Sequence, residues 1–345
     1  MNTVKAICCL ALFCGSAGIT PALAEATGQQ RAHAAARAIL GAPAPRLRLE
    51  TIDGESIDLG ALYGKKAVYL KFWATWCVPC RQQMPHFEHA YETAGPDMAV
   101  IAINVGFNDS VEAIRAYRKQ LGITMPIVFD DGSLGAAFHL RVTPTHIVIG
   151  RDGRILYVSH LADQELDAAL MAARAPTARS TQRAAAATSD LGPIGVGDLL
   201  PMRSLGTLDG PRFELRGSTA RQTLTVLVFL SPWCESYLAA TRPDASATCR
   251  SAREQFSALS GDPRLRWLGI ASGLWANSQD LRQYRTQYKV TIPLTLDASG
   301  QVFRAFRVNE VPTVLIADAG GRIVRRIEGS AALDAGALRT AIDSL

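Results

Sequence analysis

Seven cysteines occur in the chain, and four of them, Cys77, Cys80, Cys234 and Cys249, lie in its body. Cys77 and Cys80 form a Cys-x-x-Cys inside Phe72-Trp73-Ala74-Thr75-Trp76-Cys77-Val78-Pro79-Cys80, where an apolar run gives way to a helical pattern. A cysteine at a helix N-terminus faces unpaired backbone N–H groups and the positive end of the helix dipole, both of which favour the thiolate. Cys77 is therefore expected to be the attacking sulfur. Cys80, one turn on and more buried, is placed to resolve a mixed disulfide. Pro79 has no N–H to offer the sulfur, which should moderate the oxidising power of the pair. Thr143-Pro144 is the expected partner loop: a proline that opens a strand after a Val-Thr step is a candidate cis proline. In that form it would expose backbone on which a substrate strand could pair, with Trp76 covering the site.

Other chemistries use the same residues. A Cys-x-x-Cys can be half of a zinc site, but no second Cys-x-x-Cys or His-x-x-x-His follows. It can be a structural disulfide, although so short a loop is a poor staple. A copper site would need the two sulfurs and a histidine; His139 and His146 flank the Pro144 loop, but both read first as packing or surface residues. His86 and His89 read as a solvated helix face.

The elements that hold these residues are repeated along the chain. Thr51-Ile52-Asp53-Gly54-Glu55-Ser56-Ile57-Asp58-Leu59 is matched by Thr207-Leu208-Asp209-Gly210-Pro211-Arg212-Phe213-Glu214-Leu215, each Asp-Gly turning a hairpin. In each half an apolar strand then leads to Trp-Cys, at Trp76-Cys77 and at Trp233-Cys234. Arg141-Val142-Thr143-Pro144-Thr145 is answered by Arg307-Val308-Asn309-Glu310-Val311-Pro312-Thr313, and Gly153-Arg154-Ile155 by Gly321-Arg322-Ile323. In the first half a strand is expected over 98–105, a helix capped by Asp109 or Ser110 and stopped at Gly122, and a last helix capped by Asp163. The second half should repeat this, with a strand at 265–271, a helix at about 278–289 and a last helix from Leu333. Strands alternating with helices and closing on a hairpin imply α/β units, each with a central mixed sheet flanked by helices.

The chain has 345 residues, 48% of them hydrophobic, a size and composition suited to two globular domains. A formal charge of +5 without basic, aromatic-laced runs argues against nucleic acid as a partner. Residues 1–24 read as a secretory signal: Lys5, a short apolar stretch, then Ala22-Leu23-Ala24 as the cleavage site. Cys8, Cys9 and Cys14 would leave with it. Residues 25–42 form a polar, weakly helical leader, 43–174 the first domain, 175–193 a flexible linker and 194–345 a divergent second domain. The export signal implies a periplasmic or other extracytoplasmic location.

The Phe72–Cys80 block, Met84-Pro85 and Thr143-Pro144-Thr145 resemble the exported TlpA/ResA-like thiol–disulfide oxidoreductases of the thioredoxin superfamily, over about residues 42–174. The resemblance implies two tandem thioredoxin-like folds, redox exchange with protein thiols and disulfides, and no cofactor beyond the cysteines. It implies work more often as a reductant than as an oxidant, with a membrane-bound thiol donor and an apocytochrome or copper protein as client. A copper-delivery protein and a thiol peroxidase are the alternatives. Peroxidases of the superfamily want Pro and Thr or Ser before the reactive cysteine, where this chain has Leu70 and Ala74, or Leu227 and Ser231. Lys71 stands where thioredoxin has a buried Asp, and Gln83 where the ResA branch often has Glu. Lys71 would either favour the thiolate by its charge or snorkel to the surface.

In the second half Tyr237 occupies the resolving position and Cys249 follows Cys234 by fifteen residues. On an unbroken helix the two sulfurs would be about 22 Å apart. Pro243 should break that helix and let the chain fold back. A redox-active or relay disulfide, a structural one, and free thiols all remain open for Cys234 and Cys249. Trp233, Val311 and Pro312 complete the second-domain loop.

Overall fold

The structure is a computed structural model, and it describes residues 21–175, 192–208, 210–217, 223–329, 333 and 336–345. The signal reading for residues 1–20, the heart of the expected linker and Asp209 lie outside the described residues. The first unit opens on α1 (Pro21–Ile39), which continues from the end of the expected signal through the polar leader. It packs on the last strand of the unit, and a Cβ on Gly28 would lie 2.4 Å from the His160 ring, so only glycine permits this approach. The hairpin β1 (Arg48–Glu50) and β2 (Ser56–Asp58) turns at Gly54, and α2 (Leu59–Leu62) follows.

The core strands of this unit are β3 (Ala67–Trp73), β4 (Met98–Asn104), β5 (Ile127–Phe129), β6 (Thr145–Ile149) and β7 (Ile155–Ser159). Their order is β5-β4-β3-β6-β7, with β3, β4 and β5 parallel and β6 and β7 antiparallel. Every residue of β3 is buried, as a strand covered on both faces requires. The helices α3 (Val78–Gln82), α4 (Met84–Glu92), α5 (Val111–Leu121), α6 (Ser133–Ala137) and α7 (Gln164–Ala173) supply that cover. Parallel neighbours need such crossovers. Ser110 caps α5, its side chain accepting the Ala113 N–H at 3.2 Å, and Gly122 ends it in the left-handed conformation.

The second unit repeats the plan. After β8 (Ser204–Leu205) and β9 (Phe213–Glu214) come β10 (Leu224–Leu230), α8 (Cys234–Tyr237), α9 (Pro243–Leu259), β11 (Leu265–Ser272), α10 (Ser278–Tyr288), β12 (Leu294–Asp297), α11 (Gln301–Ala305), β13 (Thr313–Ala317), β14 (Ile323–Glu328) and α12 (Ala337–Asp343). Its sheet order, β12-β11-β10-β13-β14, mirrors the first. Both units therefore have the thioredoxin-like arrangement expected of them. One boundary differs from expectation: the last helix starts at Ala337 and not at Leu333. The Leu333 carbonyl accepts from the side chains of Ser251 and Gln255, and Gly336, in the left-handed conformation, starts the helix. The apolar core runs on from one unit to the other through Phe107, Trp233 and Phe303.

Candidate active site

Cys77 sits at the N-cap of α3, with Pro79 in the first turn, and its sulfur accepts the Cys80 N–H at 3.3 Å. Cys77 and Cys80 are joined in a disulfide with Cα atoms 5.2 Å apart. The pairing of Phe72 with Thr145 brings the Thr143–Pro144 step, whose peptide bond is cis, to the same end of the sheet as the Cys77 loop. Asp109 anchors that loop: it accepts from the Thr75 N–H at 2.8 Å, from the Thr75 hydroxyl and from Asn104 Nδ2 at 2.8 Å. The Trp76 indole N–H donates to the Phe107 carbonyl at 2.7 Å.

Across from this surface stands its counterpart in the second unit. Trp233 donates to the Leu274 carbonyl at 2.8 Å, as Trp76 does to Phe107. The two indoles face each other with centroids 5.1 Å apart, and the Val78 N–H donates to the Tyr237 hydroxyl at 3.3 Å. The docking is reciprocal. The Trp275 N–H donates to the Arg141 carbonyl at 2.8 Å, and its indole N–H donates to the Thr143 hydroxyl at 3.2 Å. In the same manner the Asn108 N–H donates to the Asn309 carbonyl at 2.7 Å, and its side-chain oxygen accepts the Val311 N–H at 2.8 Å. Trp275 and Asn108 both have positive φ, 58° and 51°. Each unit thus lays the loop after its second core strand on the proline loop of the other. Within the first unit the path of its loop needs Gly106, since a Cβ there would lie 2.0 Å from the Asp130 carbonyl oxygen.

Arg242 clamps the two faces. Its guanidinium donates to the Asn108 carbonyl at 2.7 Å, to Asp109 Oδ1 at 2.9 Å and to the Thr75 hydroxyl. Arg31 of α1 reaches Asp280 of α10 at 2.8 Å, a second ion pair between the units. Under this cover Cys77 keeps only 1% of its surface exposed and Cys80 none.

Beneath the Cys-x-x-Cys lies a polar chain in the core. The Tyr69 hydroxyl is 2.7 Å from His146 Nδ1, and His146 Nε2 is 2.8 Å from Gln83 Oε1. Gln83 Nε2 donates to the His160 carbonyl at 3.2 Å, and His160 Nδ1 donates to the Pro144 carbonyl at 2.7 Å. Since Gln83 Oε1 can only accept, the imidazole of His146 carries its proton on Nε2 and accepts from Tyr69. Burial and then the Lys71 charge hold His146 well below the ordinary histidine range, so it is neutral. Lys71 corrects the expectation that it snorkels. It is fully buried, its Nζ lies 5.3 Å from the centre of the Phe87 ring, and among the described residues it has no hydrogen-bond partner. Desolvation lowers its pKa to about 7.

In the second unit Cys234 and Cys249 are joined, with Cα atoms 6.2 Å apart. The break at Pro243 permits this: α8 ends at Tyr237, and α9 starts at the proline and carries Cys249 back. The Cys249 sulfur lies 3.7 Å from the Val311 carbonyl oxygen, beside the cis Val311–Pro312 bond. Cys234 is 1% exposed. His139 and His146 do not converge on the sulfurs: both ring nitrogens of His146 are engaged, and His139 sits in the left-handed conformation after α6. His86 is half-buried and lies 2.9 Å from Asp167. Sequence reasoning missed Asn108, Asp109, Tyr237, Arg242 and Trp275 as interface residues. Aligning the two halves on their second core strands, Met98 with Leu265, would have matched Asn108 with Trp275, but nothing in either residue type announces a contact between units.

The AhpC/TSA family model matches residues 40–158, in the first unit. The thioredoxin-like protein YneN of Bacillus subtilis is 34% identical over 130 residues, which cover 37% of this chain and 76% of that protein. The chain belongs to the thioredoxin-like thiol–disulfide oxidoreductases. Within this family, the thiol–disulfide oxidoreductase ResA of Halalkalibacterium halodurans is 38% identical over 120 residues, 34% of this chain and 66% of that protein. The match thus spans just under two thirds of that ResA. Among solved structures, a thiol:disulfide interchange protein of the thioredoxin family from Chlorobium tepidum TLS is 28% identical with a TM-score of 0.35. That match covers 39% of this chain and 96% of the other.

Proposed function

We propose that this oxidoreductase exchanges disulfides with protein substrates through Cys77 as nucleophile and Cys80 as resolving thiol, and that it works as a reductant outside the cytoplasm. What supports the reading is the position of Cys77: it caps α3 as the first sulfur of the family's Cys-x-x-Cys and is bonded to Cys80 within the same turn. In the reduced protein the Cys77 thiolate attacks a client disulfide and one client sulfur leaves. The buried Cys80 thiolate then attacks the Cys77 sulfur, releases the client as a dithiol and closes the disulfide. Trp76, Pro79, Thr143 and Pro144 shape the site around the reacting sulfurs. The cysteines carry the electrons themselves, so the reaction calls for no cofactor. A membrane-bound thiol donor would restore the dithiol, and an apocytochrome or copper-site protein would be a suitable client. The cleaved N-terminal signal is the route of export; no helix among the described residues is long and apolar enough to cross a membrane. Because Trp233 and Tyr237 pack on Trp76 and Val78, the neighbours of the buried Cys77, a folded client reaches the sulfur only when the two units part.

The test is catalytic and electrochemical. Cys77→Ser should abolish reduction of a protein disulfide such as that of insulin, and Cys80→Ser should accumulate Cys77-linked mixed disulfides with the same substrate. Turnover that survives Cys77→Ser would overturn the assignment. A Cys77–Cys80 potential near or below about −250 mV marks a reductant, and one near −120 mV an oxidant.

A further inference from the structure

We propose that Cys234–Cys249 is the internal redox partner of Cys77–Cys80, and that the closed arrangement of the two units is the complex in which electrons pass between the pairs. The proposal rests on the reading of Cys77 as nucleophile. Three observations carry it. First, the rings of Trp76 and Trp233 pack across the interface at a tilt of 33°, and each is followed directly by its cysteine, so the two Trp-Cys turns confront one another. Second, the contact continues into the helices: the Val78 N–H, between Cys77 and Cys80, is held by the hydroxyl of Tyr237, the residue that takes the place of a resolving cysteine in the second unit. Third, the proline loops are occupied. Trp275 takes the hydrogen-bonding groups of Arg141 and Thr143, and Asn108 those of Asn309 and Val311, where the partner of an exchange reaction would pair. Each unit is therefore bound to the other as a thioredoxin-like site binds the protein it exchanges with. The Cys249 sulfur joins this contact through Val311, whose N–H is held by Asn108 of the first unit.

The step balances within the chain. With Cys77 and Cys80 reduced, the Cys77 thiolate attacks the Cys234 sulfur; the Cys77–Cys234 bond forms, the Cys234–Cys249 bond breaks, and Cys249 leaves as a thiolate that takes a proton from water. Cys80, giving its proton to water, then attacks the Cys77 sulfur; the Cys77–Cys80 bond forms and Cys234 leaves as a thiolate. Two electrons and, in net terms, one proton have moved from the first pair to the second. The reverse transfer uses the same bonds. An external dithiol supplies the electrons that enter the cycle.

The experiment uses the full chain. In the Cys80→Ser/Cys249→Ser double variant, the relay predicts a Cys77–Cys234 disulfide once reductant is replaced by oxidised glutathione as the electron acceptor, identified by peptide mass and formed at a rate independent of protein concentration. The Cys77→Ser/Cys249→Ser control should give no Cys80–Cys234 bond. Absence of the Cys77–Cys234 bond in a double variant with the wild-type circular dichroism spectrum overturns the proposal. A second measurement serves if that variant does not fold. With limiting dithiothreitol and alkylation at timed intervals, the Cys80→Ser variant should reduce Cys234–Cys249 at least about tenfold more slowly than the wild type. Equal rates would mean that Cys234–Cys249 takes electrons directly or serves as a staple, and the relay falls. Insulin reduction distinguishes the two readings: if it persists while the cross-link and the rate effect are both missing, the relay fails and the exchange function stands.

Discussion

Replacing Arg242 with alanine removes three hydrogen bonds that run from the second unit to the Asn108 carbonyl, the Thr75 hydroxyl and Asp109. Asp109 has no exposed side-chain surface, whereas Arg242 keeps 31% of its own. The loss is smaller than that of stranding a buried charge, about 3–5 kcal/mol, because Asp109 still accepts from Thr75 and Asn104 within its own unit. A hydrogen bond to a charged group contributes about 1.5–3 kcal/mol, and solvent at the guanidinium reduces this, so about 1–2 kcal/mol of docking free energy should go. At about 1.4 kcal/mol per factor of ten, the parted form becomes roughly 5- to 30-fold more populated. The bonds lost lie between the units, so each unit should keep its own stability. Cys77 is sealed in the docked form, so reduction of Cys77–Cys80 by dithiothreitol should proceed through the parted form at a rate set by its population, provided docking is fast relative to reaction. The expected result is a 5- to 30-fold faster reduction, followed by quenched alkylation, with an unchanged far-ultraviolet circular dichroism spectrum. An Arg242→Ala protein that folds normally and is reduced at the wild-type rate would refute the idea that this clamp controls access.

Two further predictions concern the core beneath the site. Lys71→Met replaces a buried amine lacking a hydrogen-bond partner by an apolar chain of similar length. The lysine pKa falls from 10.5 unfolded to about 7 folded, so the unfolded chain binds the extra proton between those values and the wild type loses stability as pH drops through that window. Urea unfolding should show Lys71→Met more stable by up to roughly 3–5 kcal/mol at pH 6, with the gap closing toward pH 10; a gap independent of pH would refute it. Tyr69→Phe strips His146 Nδ1 of its donor inside the core and should cost about 1–3 kcal/mol in the same assay. A change below a few tenths would mean that water or a rearranged ring replaces the bond.

The sequence was most readable where local rules and burial agree. The uninterrupted apolar run of β3, the Ser110 and Asp163 caps and the Gly122 stop follow from requirements that each segment meets by itself. The Cys-x-x-Cys and both prolines were legible for the same reason: their chemistry depends on a turn that the neighbouring residues encode. Pro243 announced the return of Cys249, but the pairing itself needed three-dimensional proximity. Lys71 was misread in part because a charge in a strand is normally brought to solvent by its long stem. Here the strand is central and covered on both faces, so the stem has nowhere to lead. The partnership between the units left almost no local trace. Arg242 looks like any surface arginine before a helix, and Asp109 like an alternative cap for α5. Ser110 takes the cap, and Asp109 is thereby left to hold Thr75 and receive Arg242.

The repeat gives a reason for the face-to-face arrangement. A thioredoxin-like unit has one surface on which a reactive turn and a proline loop both present groups to a partner, and that surface is costly to leave bare because it is partly apolar. Two copies in one chain can satisfy each other there, at an effective concentration set by the connecting segment and not by the supply of partners. The pseudo-symmetric bonds follow: Trp76 to Phe107 and Trp233 to Leu274, Trp275 on Arg141 and Asn108 on Asn309. Where the symmetry breaks, it breaks at the chemistry. Tyr237 replaces the resolving cysteine and its hydroxyl oxygen accepts the Val78 N–H of the opposite helix, while the second sulfur arrives from α9. A copy retained only for packing would have no need to import a cysteine from a different helix. That the second unit keeps a sulfur at the Trp-Cys turn and rebuilds a disulfide on it is what the relay accounts for and a passive cover does not.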